Sequence, residues 1–137
     1  MNLQKKVIYA KWLSEQIDKP FVRGEQDCIT SFLEMHDTVY GTTALDQVKS
    51  KYWDRASAIR FYRNFGLTWR QWLTINKWEQ VSDDALEGDI RVVDGKAFPT
   101  VYMKHNSYWW NYHESYGFQS YTDTAWRTAN YTQWRHK

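Results

Sequence analysis

The sequence predicts an α+β domain, N-terminal helices packed on a C-terminal antiparallel sheet, and three observations predict it. Apolar residues recur at helical spacing up to about residue 77, and short β-prone runs separated by turn residues follow. The two kinds of element are segregated along the chain, without the alternation that builds a parallel βαβ sheet. At 137 residues the chain is long enough for one core and too short for two, so residues 1–137 are read as a single domain.

Val7, Ala10, Leu13 and Ile17 mark a first helix over residues 3–17, which Pro20 stops. Asp27 caps a second helix with Ile29, Phe32, Leu33, His36 and Val39 on its apolar face and Gly41 as its stop, so Cys28 falls in its first turn. Thr43 caps a short third helix ending at Val48. Residues 57–65 form a fourth, with Ile59, Tyr62 and Phe65 on one side and Gly66 at its end, and residues 68–76 a fifth with Trp69, Trp72 and Leu73 inward. Strands follow at 90–93, 99–104, 107–112 and 117–121, separated by Asp94-Gly95, His105-Asn106 and Ser115 to Gly117. Residues 125–137 carry Trp126, Tyr131 and Trp134, too aromatic for a disordered tail, and are expected to dock.

Composition narrows the function. With 18 basic and 16 acidic residues the net charge is +2, which selects neither nucleic acid nor a membrane surface as partner. One cysteine excludes an intrachain disulfide, and four scattered histidines offer no zinc spacing, so neither metal nor cofactor is expected. Asp83, Asp84, Glu87 and Asp89 read as solvated loop carboxylates, and Arg127, Arg135, His136 and Lys137 as a solvated basic end. Lys11, Ser14, Glu15 and Gln16 interrupt the first helix, which is therefore neither a signal peptide nor a membrane span, and synthesis in a cytoplasm is expected.

The 9 Trp and 10 Tyr residues exceed ordinary use. Either a small core is filled with few large rings, or some rings form an exposed contact surface. In the run Tyr108 to Tyr112 alternate side chains face opposite ways, which makes Trp109, Trp110 and Tyr112 the candidate binding rings for a sugar, a base or a protein.

Cys28 is either buried filler or a reactive thiol. A cysteine in the first turn of a helix sees the positive end of the helix dipole, which favours thiolate. Nucleophilic catalysis also needs a histidine in reach of the sulfur, held by a third polar group. His105 and His113, at the ends of adjacent strands, are the candidate bases. His36 lies two turns along the cysteine's own helix and reads as a core or subunit-contact residue.

Phe21-Val22-Arg23-Gly24-Glu25-Gln26-Asp27-Cys28 before an apolar helix, then Gly41, Tyr52, Ala58, Phe65-Gly66 and Gly88-Asp89-Ile90, resemble the pattern of NlpC-type, papain-like cysteine peptidases. More closely, the chain is similar to a family of small proteins of tailed phages and prophages, over roughly residues 8–127 and including Ala125-Trp126-Arg127. The resemblance implies a papain-like fold with Cys28 at the nucleophile position and Gly24 and Asp27 shaping its loop. It does not supply the histidine. The matching positions before Val101-Tyr102-Met103 are Phe98, Pro99 and Thr100, so His105 or His113 would require a shifted register, and one residue of shift reverses a side chain's face.

The resulting expectation is a virion structural or assembly protein of the tail or head-to-tail region, with a degenerate catalytic site. It is made in the host cytoplasm and partnered by other virion proteins or copies of itself. One alternative is an active cysteine hydrolase acting on peptidoglycan peptides through Cys28 and His105 or His113. The other is a binding module whose rings grip a polysaccharide or host protein.

Overall fold

The computed structural model describes residues 1–126 and 130–137; Arg127 of the expected basic end lies outside them. Helices α1 (Leu3–Gln16), α2 (Cys28–Tyr40), α3 (Arg55–Arg63) and α4 (Trp69–Ile75) precede six strands: β1 (Trp78–Val81), β2 (Ile90–Val93), β3 (Thr100–His105), β4 (Tyr108–His113), β5 (Gly117–Thr122) and β6 (Thr132–His136). All strand pairs are antiparallel, in the order β1-β6-β2-β3-β4-β5. The chain is thus α+β, with its helices first. No helix among the described residues is long and apolar enough to cross a membrane.

Helix starts follow side-chain chemistry. Asp27, Asp54 and Thr68 each cap a helix and are answered three residues later by Thr30, Ser57 and Gln71, so two orphan backbone donors are satisfied at each start. Gly41, at φ 71°, ends α2 in the left-handed region as expected. Thr43 makes no capping bond; Asp37 instead accepts from the backbone of Ala44 and Leu45 and holds the 3-10 turn Ala44–Gln47. In α1 the buried face is Tyr9, Trp12, Leu13 and Gln16, whereas Val7 and Ile17 of the expected stripe are exposed. The large rings win that face because Tyr9 also donates to the Lys104 carbonyl at 2.6 Å and Gln16 accepts from Tyr112 at 2.7 Å, tying α1 to the sheet.

The C-terminal stretch docks more deeply than as a flap. Its strand β6 lies inside the sheet between β1 and β2, pairing Trp78 with His136 and Ile90 with Trp134. Both faces of the sheet are consequently covered. Ile90, Val92, Val101 and Met103 face the helices, while Trp109, Lys104, Asn111 and Gln133 are buried on the far face with Trp126. There Arg91 lies 4.1 Å from the ring centre of Trp109 and 4.3 Å from that of Tyr131. Trp109 and Tyr112 are buried and Trp110 half-buried, so these three rings are taken up in packing, while Tyr108 at the start of the run is exposed. The basic end is corrected likewise: Arg135 binds Asp89 at 2.8 Å and Asp83 at 3.1 Å. Asp89 is 1% exposed and accepts from the Leu86 backbone as well, so it is a buried anchor and not a solvated loop carboxylate.

Candidate functional site

The site at the start of α2 is built from its loop. Gly24 has φ 84°, and a Cβ there would stand 1.9 Å from the Tyr52 carbonyl oxygen, so only glycine fits. Its N–H donates to Asp27 Oδ2 at 2.9 Å. Asp27 Oδ1 accepts from the backbones of Ile29 and Thr30 at 3.0 and 2.8 Å, and Oδ2 also accepts from the Tyr52 hydroxyl at 2.6 Å. Tyr52 and Tyr62 share a further hydroxyl bond of 2.6 Å. The carboxylate is thereby enclosed and fully occupied at 4% exposure, with a tyrosine chain leading away from it.

Cys28 sits at the first helical position and directs its sulfur at the Pro99 carbonyl oxygen, 3.8 Å away. A carbonyl accepts only from a protonated thiol, and the electrostatics agree. Burial first, then the charge of Asp27, push the Cys28 pKa up to about 12; the Val101 main chain and the Arg23 guanidinium pull it down without winning. The helix-dipole argument for a thiolate therefore fails here, because burial removes the water that would stabilise the charged sulfur and the neighbouring Asp27 carboxylate adds to that penalty.

The histidines are engaged elsewhere. His105 ends β3, six residues beyond Pro99 and so about 20 Å along the strand. Its Nδ1 meets Glu87 Oε2 at 2.5 Å, and its ring packs edge-on to Tyr9. His113 ends β4, where continuation of the Met103–Trp110 pairing sets it level with Thr100. Alternation from Tyr112 turns it to the face away from α2; its Nδ1 accepts from the Ser115 backbone at 3.0 Å and its ring stacks on Tyr116. Neither makes a hydrogen bond to Cys28. His36 is in the core at 1% exposure, with Nδ1 bonded to Thr42 at 2.8 Å. Among the described residues no group of three metal-binding side chains occurs.

A groove of about 690 Å³ opens beside Cys28, sharing Ile29, Tyr62, Phe98 and Pro99 with its surroundings. One wall is α2 and the sheet; the other is the segment from Tyr62 to Leu73, including Phe65, Trp69 and Trp72. The sequence reading treated Tyr62, Phe65, Trp69 and Trp72 as interior residues and so missed the groove. The Tyr52–Tyr62 relay was also invisible, since it depends on two helices meeting a loop.

The family model described as a domain of unknown function (DUF6950) matches residues 2–129. The chain belongs to the DUF6950 family. The match takes in the Cys28 loop, both walls of the groove and strands β1 to β5. No curated protein matches the chain.

Proposed function

We propose that this DUF6950 chain is a papain-like, NlpC-type domain that keeps the shell of a cysteine hydrolase without its chemistry. It serves as a structural or assembly component of a tailed-phage particle, in the tail or head-to-tail region. The observation that carries the loss of chemistry is the bond from Cys28 to the Pro99 carbonyl: main chain occupies the place where a hydrolase needs its base. The raised thiol pKa supports the same reading, since a neutral thiol is a poor nucleophile. The phage role rests on the resemblance of roughly residues 8–127, including the closing Ala125-Trp126-Arg127 segment, to a family of small proteins of tailed phages and prophages.

The test is alkylation of Cys28 by iodoacetamide across pH. Near neutral pH the folded protein reacts far more slowly than free cysteine, and His105→Ala and His113→Ala leave the rate as it was. In phage particles Cys28→Ala assembles like the wild type. A thiol titrating well below about 8.5, with the shift lost in one histidine variant, would replace this reading by a peptidoglycan hydrolase. Failure of Cys28→Ala to assemble would count against the scaffold role.

A further inference from the structure

The groove beside Cys28 has a charge pattern that the whole-chain composition hides. From Arg55 to Lys77 the sequence holds Arg55, Arg60, Arg63, Arg70 and Lys77 and no acidic residue, although the chain's net charge is only +2. The remainder is therefore net acidic, and two of the five, Arg63 at the end of α3 and Arg70 on α4, belong to the outer wall of the groove. Arg63 and Arg70 line it and are exposed. Among the described residues neither forms an ion pair, the pairs present involving Arg23, Arg91, His105 and Arg135, and Arg70 lies over the Trp69 ring, 4.3 Å from its centre. Asp94, also in the lining, accepts from the Trp69 indole N–H at 2.9 Å, and the two arginines outnumber it. The floor is apolar, with Leu33, Phe65, Trp72 and Val92.

We infer that this groove docks a segment of a partner protein in which leucine or aromatic side chains alternate with carboxylates. The apolar side chains fill the floor and the carboxylates meet Arg63 and Arg70. Guanidinium groups on a rim favour planar carboxylates, and unpaired cations beside an apolar floor select against a basic or neutral peptide. A second copy is a poorer occupant. Its exposed Leu3 and Val7 on α1 are interleaved with Lys5, Lys6 and Lys11, of the same sign as the rim, and around its exposed Leu86 the carboxylates of Asp83 and Glu87 are already paired with Arg135 and His105 of their own chain. The inference rests on the reading that the chain works by holding partners, and names the surface and the chemistry of one of them.

The experiment titrates the full chain against a fluorescein-labelled peptide alternating Glu with Leu and Phe, and against the same peptide with Lys in place of every Glu, by fluorescence anisotropy. The acidic peptide binds saturably, and the basic one at least about tenfold more weakly. Binding weakens as salt rises from about 0.05 to about 0.5 M. Reversing the exposed arginines in Arg63→Glu/Arg70→Glu weakens the acidic peptide about tenfold or more. Ala97→Trp, which fills the groove without changing charge, abolishes binding while urea unfolding curves show the variant folded. Equal affinity for both peptides, or binding indifferent to the arginine reversal, would overturn the inference. So would salt-sensitive self-association, seen by sedimentation and lost in the double variant, which would make a second copy the occupant. A reactive Cys28 with intact peptide binding removes the assembly reading alone; an inert Cys28 with no peptide binding removes only the groove's partner.

Discussion

The two faces of the sheet are built on different chemistry. Toward the helices, Ile90, Val92, Val101 and Met103 form an aliphatic centre, flanked by the rings of Trp78, Trp134, Tyr112 and Phe118, that continues into the apolar groove. On the far face the positions that alternate with these include Arg91, Lys104, Asn111 and Gln133, residues that ordinarily meet water, and there they are buried or half-buried. Arg91 lies against Trp109 and Tyr131, and Lys104 sits 5.7 Å from the Trp109 ring centre. Long cationic side chains bury their stems and are held by aromatic faces, so the centre of the second face is filled by cations and rings. The lesson is that the aromatic excess is spent on two faces at once.

The largest effect tests whether the far face is a true core. Trp109→Ala destabilises by about 3–5 kcal/mol and Met103→Ala, on the helix side, by about 2–5 kcal/mol, both read by urea unfolding. A loss below about 1 kcal/mol for Trp109→Ala would mean that the cover on that face is loose and the two faces are unequal.

Acid separates the faces next. On the helix side, burial first and then the neighbouring His136 lower the His36 pKa from 6.5 to about 4. The Thr42 hydroxyl donates to Asp37 and therefore accepts from His36 Nδ1–H, which leaves Nε2 unprotonated and without a partner in the core. The unfolded chain binds the extra proton between pH 6.5 and 4 and the folded chain does not. Stability is thus full above that window and falls as pH drops through it, by about 3 kcal/mol once complete. On the far side the Arg135 cluster holds Asp83 below the ordinary carboxylate range, mainly by hydrogen bonding, and so remains paired through the same window. Unfolding midpoints of wild type and His36→Leu at pH 7 and pH 4.5 check this: the variant loses most of the wild type's drop. An equal drop in both would assign the acid sensitivity to carboxylates.

The smallest effect is Arg91→Met, which keeps the stem and removes the charge. It costs about 1 kcal/mol from the lost cation–ring contacts and the Gln133 bond at 3.1 Å. A neutral or stabilising result would sharpen the comparison by showing that the rings need only the stem.

The sequence by itself determined the class, the order of elements and the start of α2, because these are local. The capping residue Asp27, Gly41 after α2 and the turn pairs between β2 and β5 act within a few residues of themselves. It also located Cys28 in the first turn and showed that Phe98, Pro99 and Thr100 include no base. The tertiary structure alone decided what lies far apart in the chain. Strands β1 and β6 were missed because Trp78–Val81 and Thr132–His136 each hold few apolar residues and are strands through their pairing with each other and with β2. Packing between distant segments likewise covered the outward ring of Trp109 with Arg91 and Trp126 and put Pro99 against the thiol. Even the sign of the Cys28 shift came from burial that no spacing reveals: helix position argued for thiolate, and desolvation of the sulfur, with the enclosed Asp27 adding to it, decided for thiol.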